Sequence, residues 1–557
     1  MLNPACTPLA FDRLAISGLV LDRTRVTLCP IRGALVQATA RRINGGASLG
    51  ATQLRGRLGA TPLSIALTGA DLRLAGRAIV VRGVEARLGA PERVTRLDFG
   101  TVTATIAGST AKGGFTGGAG QIANVPLLLG AAAGDWTLDR GVLALTGAMI
   151  VSDAATAAPR FQPLAAEAVS LRLQNGAIAA TGTLIEPSAR VKVADLTIDH
   201  RLATGIGHAV IAVPGITFDK AFQPERLTRL TFGVIADVRG TVAGRGDIAW
   251  SPAGVSSIGE FRTDGTDLAA AFGPVTGIAG TIRFTDLLAL QSAPGQVATI
   301  ATLNPGIPVT DGRVTYQTLP NSRVQVEGAR WPFAGGTLTL EPTLLDFSAQ
   351  RSRQMTFRID GAAADQFLQQ FDFKNLDATG TFDGIVPMVF DDAGGRIENG
   401  RLTVRAGGGG LAYVGDLTQK DLGLWGNLAF QALKSLRYRD LAIVMNGALA
   451  GEMITEVRFA GISQGAGAKS NFLVRRLQRL PFVFNIKIRA PFRGLLDSAA
   501  SFYDPSRLIQ RNLPQLLERQ NRRVPLQSTS PPAPPPARAP APAPPSAIQP
   551  TESEKMP

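Results

Sequence analysis

Residues 271–296 read AFGPVTGIAGTIRFTDLLALQSAPGQ, residues 303–319 read LNPGIPVTDGRVTYQTL, and residues 324–347 read VQVEGARWPFAGGTLTLEPTLLDF. Between Phe272 and Phe347, apolar and polar residues alternate over short runs. Val314 and Tyr316 face one way with Arg313 and Thr315 the other, and Val324 and Val326 alternate with Gln325 and Glu327. A period of two marks a half-buried strand, because successive side chains point to opposite faces. Pro294-Gly295, Pro305-Gly306 and Gly335-Gly336 punctuate the runs. This is the grammar of short antiparallel strands joined by tight turns. It holds no nucleophile, base or ligand cluster.

The same grammar extends outward from Phe11 to about Asp360. Val169, Leu171 and Leu173 alternate with Ser170, Arg172 and Gln174; Met355, Phe357 and Ile359 alternate with Thr356, Arg358 and Asp360. Asn175-Gly176 and Asp311-Gly312 predict hairpin turns, since both central residues of such a turn favour positive φ. The spacing has no fixed period, which argues against a propeller or a rigid solenoid. Roughly 25 strands at ~4.8 Å would make a continuous sheet on the order of 120 Å long. One apolar face per strand must be covered. A second sheet, closure into a barrel, or a ligand lying in a long folded trough would each do so, and the pattern leaves these open.

Helices are few. Ala362–Phe371 and Leu422–Leu436 are candidates, followed by strands at Leu441–Leu449, Met453–Phe459 and Phe482–Arg489. In the last of these, Phe482, Phe484, Ile486 and Ile488 share a face, and an open sheet edge there would suit docking of a partner by strand addition. Phe492–Tyr503 and Pro505–Arg519 read as two more helices, the second opening with Asp504 as N-cap and Pro505 at the first helical position. From Val524 the chain is Pro-rich and prone to polyproline II. The expected organisation is an elongated β region over 1–360, a β end with short helices over 361–520, and a disordered tail over 521–557.

Composition narrows the chemistry. The net charge is +14, yet most arginines stand singly at alternate strand positions, and no aromatic ladder interleaves with the Arg475-Arg476 or Arg522-Arg523 pairs. Nucleic acid is therefore not the expected partner. Aromatics make up 6% and there are two histidines, His200 and His208, with no ligand spacing around them. Gly461-Ile462-Ser463-Gln464-Gly465 fits G-x-S-x-G, but no histidine lies downstream to complete a triad. In Gly465-Ala466-Gly467-Ala468-Lys469-Ser470, Ala468 stands where a phosphate loop requires Gly. Asp391-Asp392 ahead of Gly394-Gly395 reads as a turn, because neighbouring strand residues point to opposite faces. We expect no catalytic residue, no metal and no cofactor. Cys6 and Cys29 lack metal spacing and read as two unrelated thiols in preference to a bridge between N-terminal strands. No basic start followed by an apolar run opens the chain, and no window reaches the ~20 apolar residues of a membrane span.

The chain resembles the YdbH-like family, labelled "dicarboxylate transport", of the AsmA-like superfamily that includes TamB and YhdP. The resemblance rests on Phe272-Gly273, Ile278-Ala279-Gly280, Asp286-Leu287, Pro294-Gly295-Gln296 and Asn304-Pro305-Gly306-Ile307. It continues through Trp331-Pro332-Phe333-Ala334-Gly335-Gly336, Glu341-Pro342-Thr343, Ala378–Gly384, Leu433–Tyr438, Arg489–Leu496 and Phe502-Tyr503-Asp504-Pro505. It covers about residues 250–520. Family members begin with an inner-membrane helix and further groove strands, so the resemblance implies that this chain is the C-terminal half of such a protein. It implies a long curved sheet folded into a β-taco groove that carries phospholipids between inner and outer membranes without catalysis. It also implies a periplasmic location, an inner-membrane anchor through an N-terminal helix not seen here, and a small outer-membrane lipoprotein at the C-terminal end. Val169, Leu171, Leu173, Val314, Tyr316, Val324, Val326, Met355, Phe357 and Ile359 are then groove-lining candidates. The rival reading is a β-sandwich binding or structural module. The older dicarboxylate label would need a cluster of fixed cations, and none is visible.

Overall fold

The computed structural model describes residues 3–16, 18–39, 42–123, 125–157, 159–231, 234–270, 273–304, 308–347, 352–370, 376–391, 394–413, 436–449, 451–464 and 484–491. All lie in the unit Met1–Pro514. The proposed helices at Leu422–Leu436, Phe492–Tyr503 and Pro505–Arg519, the Pro-rich tail, Phe482, Gly465–Ser470 and Asp392 fall outside them, apart from Leu436.

Thirty strands join one antiparallel sheet, and the remaining described strands form sheets of four and two. A sandwich would need a second sheet of comparable size. Pairing follows chain order. Thr95–Ala107 pairs with Thr110–Gln121, that strand with Leu127–Asp139, and so on through Val142–Asp153, Leu164–Gln174, Ala177–Ile185, Lys192–Arg201, Ile206–Phe218, Ile235–Ser251 and Gly254–Ala270. Near the N-terminus, Gly46–Leu49 and Thr52–Leu58 lie end to end along Leu19–Pro30, as two halves of one interrupted strand. Successive turns therefore alternate between two lips of the sheet. Counted this way there are about 26 strand positions, on the order of 120 Å along the ladder at ~4.8 Å each.

The turn at Asn175 (φ 50) and Gly176 (φ 73) has the expected form. Asp311-Gly312 does not. Asp311 has φ 57 but sits inside the strand Val309–Leu319, and Gly312 pairs with Ile300. The positive φ there makes an irregularity within a strand, not its end.

That irregularity belongs to a seam running the length of the sheet. Gly83 (φ 56), Gly117 (φ 64), Ala131 (φ 49), Ala168 (φ 49), Asp237 (φ 51), Gly277 (φ 63), Asp311 and Gly361 (φ 72) all lie within strands. Most coincide with register shifts against a neighbouring strand. A bulge adds one residue, bends the strand and increases its twist. It also moves the alternation by one position. In Leu164–Gln174 the inward residues are Leu164 and Ala166 before Ala168, and Val169, Leu171 and Leu173 after it. The apolar face thus stays continuous across the bend.

At the C-terminal end the seam becomes a full break. Leu376–Thr379 continues into Thr381–Asp391 across Gly380, and Gly394–Val404 into Gly409–Tyr413 across Gly407 and Gly408. Leu436–Tyr438 continues into Asp440–Ala448 across Arg439, and Glu452–Ala460 into Ser463–Gln464 across Gly461. The four-stranded sheet is these same chain segments beyond the corner. The two sides pack together through Tyr438 against Phe459 (5.8 Å between centroids), with Ala364 of the helix Ala364–Gln370 in the same cluster.

The polar face carries ion pairs between strands, such as Arg283–Glu260 (2.8 Å), Arg358–Glu341 (2.6 Å) and Lys487–Glu456 (3.1 Å). These are exposed, so each contributes about 1 kcal/mol or less. Cys6 and Cys29 correct the expectation of two free thiols. They form a disulfide, with Cα atoms 4.0 Å apart. The register of Thr7–Ile16 against Leu19–Pro30 sets Thr7 opposite Leu28, and so brings the two cysteines face to face one step further out.

Candidate functional site

The feature that could bind something is the apolar face itself. Pairing aligns inward residues into rows that cross many strands. One row runs Trp136, Leu145, Leu171, Ala180, Ile198, Ala209, Ile248. Beside it runs Leu138, Leu143, Leu173, Ile178, His200, Gly207, Trp250. Each arises because period-two strands in a fixed antiparallel register stack like faces on like. Along both rows the large side chains are half-buried. Their opposite neighbours, including Asp135, Ser170, Arg172 and Asp199, are exposed.

Further along the face the environment changes. Val314, Ala329, Leu340, Phe357 and Val386 form one row, and Trp331, Leu338, Ile359, Gly384, Leu402 and Ile443 another. Here a closed core has formed, with Trp331 2%, Val309 2% and Met453 0% exposed. Trp331 fits because Gly312 beneath it has no side chain: a Cβ there would stand 2.0 Å from the indole Nε1.

The groove candidates accordingly divide. Val169, Leu171 and Leu173 are half-buried. Val314 and Val324 pack partly buried against the closed core, and Tyr316 is also half-buried. Val326, Met355, Phe357 and Ile359 lie within that core. Of the docking candidates, Phe484, Ile486 and Ile488 take register positions opposite Phe459, Val457 and Thr455. Their strand, Phe484–Pro491, pairs on one side only among the described residues. Trp136, Leu145, Ile198 and Trp250 share these half-buried rows but are not among the candidates. The alternation Leu143, Leu145 beside Ala144, Thr146 is the signal that could have found the neighbouring strand.

Polar groups near this face are paired or neutral. His200 Nδ1 accepts a hydrogen bond from Trp250 Nε1–H at 3.1 Å, and burial holds its pKa below the usual imidazole value. His208 lies on the other face, 3.3 Å from Asp247 Oδ1, so the two histidines do not meet. Burial raises the Tyr316 hydroxyl and pushes Tyr438 up to about 12. Asp153, its side chain fully buried, accepts from the Arg160 guanidinium at 2.8 Å and from the Arg160 and Ala155 backbone N–H groups, which holds its carboxyl far below the usual range. Among the described residues no group of three or more His, Cys, Asp or Glu could hold a metal ion, and no helix is long and apolar enough to cross a membrane.

One long antiparallel sheet, bent along a seam and apolar on one face, defines the class: a β protein whose distinguishing surface is an extended hydrophobic face. The family model YdbH-like, described as intermembrane phospholipid transport protein YdbH, matches residues 4–514, and the chain belongs to that family. The match takes in the N-terminal strands as well as the stretch carrying the sequence resemblance. It is a lipid-transport family by description, not an enzyme family. No curated protein matches the chain.

Proposed function

We propose that this chain conducts phospholipids between the two membranes of a cell envelope, with acyl chains lying on the apolar face and headgroups toward the lips. The observation that carries this is the pair of rows through Leu171 and Leu173, which are half-buried in a sheet with no second sheet of comparable size among the described residues. An apolar face of that extent needs a cover. Acyl chains supply one at about 0.8 kcal/mol per buried CH₂, without any specific polar site. The route needs no catalyst, which agrees with the family's description.

The Cys6–Cys29 disulfide favours an oxidising compartment such as the periplasm. Among the described residues Phe484–Pro491 pairs on one side only, which offers an edge for strand addition by a small lipoprotein of the outer membrane. Purification without detergent followed by mass spectrometry tests the main reading. Phospholipid at near-stoichiometric amounts or above is expected; protein free of lipid would refute it.

A further inference from the structure

The turn at residues 89–94 and the turn at residues 252–253 lie on opposite lips of the sheet, since turns alternate between lips as the strands succeed each other. They are also about nine strand positions apart. In a flat sheet, nine spacings of ~4.8 Å and a strand of ~13 residues would hold them roughly 60 Å apart. In the folded chain Arg93 Nη1 donates a hydrogen bond to the Pro252 carbonyl oxygen at 2.5 Å. Only folding along the seam, combined with the sheet's twist, can bring these lips together.

The contact lies beside the apolar rows. Pro252 follows Trp250 by two residues, and Trp250 ends the row through Leu173 and His200. The Pro252 ring also stands close to Gly205, where a Cβ would lie 3.4 Å from its Cγ, so the second lip is braced by the neighbouring turn. Among the described residues Arg93 has no carboxylate partner that would hold it elsewhere.

We propose that Arg93 and the Pro252 turn form a latch that closes the mouth of the apolar face, so that cargo passes along the sheet there and does not leave sideways. The latch is a single hydrogen bond to a neutral acceptor between two exposed turns, which lets it open readily. This rests on the lipid-transport reading for its purpose, but the meeting of the lips does not.

Two measurements on the full chain test it. Glu92→Cys with Ala253→Cys, which leaves Arg93 in place, treated with a short bis-maleimide, is expected to give an intramolecular cross-link; the native cysteines are bridged and contribute no free thiol. Thr105→Cys with Lys112→Cys, register partners on adjacent strands, serves as the positive control. A linked control without a lip-to-lip link would overturn the latch. In the second measurement, protein loaded with a fluorescent phospholipid is mixed with phosphatidylcholine vesicles. Arg93→Ala should release lipid several-fold faster than the wild type, and Arg93→Lys should restore slow release. Equal rates in all three would remove the closing role. If the wild type takes up no phospholipid, the transport reading fails, and the cross-link alone decides whether the lips meet.

Discussion

At the scale of single residues, the apolar face is built by what glycine leaves out as much as by what leucine adds. Trp331 occupies space that Gly312 vacates, and the Trp250 ring lies where a side chain on Gly207 would be, 2.2 Å from its Cβ position. Gly312→Val should therefore expel Trp331 from its core and cost about 1–3 kcal/mol, visible as a lower melting midpoint followed by tryptophan fluorescence. Two titrating groups give pH signatures. His200 has a folded pKa below its unfolded value, so its contribution to stability is complete above the unfolded pKa and is lost as pH falls through the imidazole range. His200→Gln should flatten that limb of a stability profile between neutral pH and about pH 5. Asp153 is also depressed, so its contribution is lost only in stronger acid, below the ordinary carboxylate value. Removing its partner by Arg160→Ala strands a buried charge at a cost of about 3 kcal/mol, measurable by denaturant unfolding.

At the scale of elements, the seam governs which residues the face presents. Ala168 is the extra residue that lets Leu164 and Ala166 share a face with Val169, Leu171 and Leu173. Deleting Ala168 removes the bulge and leaves Leu164, Ala166, Val169, Leu171 and Leu173 in plain alternation on one face, so the strand should straighten without turning over. Hydrogen exchange should show protection from 164 to 185 kept or raised on deletion, and Ala168→Gly, which relieves an alanine at φ 49, should likewise leave it unchanged or stronger. The N-terminal hairpin is held by ten-residue pairing and by Cys6–Cys29. Closing a loop of that length restricts the unfolded chain by roughly 3 kcal/mol. Reduction should therefore raise exchange in residues 3–16 while leaving the strands from Thr95 onward as they were.

At the scale of the whole molecule, the open and closed sections of the face predict opposite outcomes for the same substitution. Leu171→Asp with Leu173→Asp places charge on a half-buried surface that lipid would cover. The protein should fold and lose most of its copurifying phospholipid. Met355→Asp with Phe357→Asp places charge in a core whose residues are 7% exposed. With no partner for either carboxylate, that chain should fail to fold. Circular dichroism and lipid mass spectrometry on both variants separate the cases. Folded but equally lipid-loaded Leu171/Leu173 variants would count against the conduit.

The strands themselves were legible in the chain, because a period of two in Val169, Leu171 and Leu173, or in Met355, Phe357 and Ile359, depends only on neighbours two residues away. The Asn175-Gly176 turn was legible for the same reason: it is set by local backbone preference. Asp311-Gly312 carries the same local preference, yet it became an irregularity inside a strand because Val309–Leu319 is paired through it. The cysteine bridge likewise depended on a hairpin register that sets residues 23 apart in the chain opposite each other, which no local pattern states. The sequence by itself determined an antiparallel β chain with one apolar face per strand. Tertiary structure alone decided that the strands join one sheet and that their bulges align into a seam. It also decided that the face is half-buried around Leu171, closed around Trp331, and bridged where Arg93 meets Pro252. Those outcomes depend on how strands far apart in the chain stack, which is a property of the assembled sheet and of no segment within it.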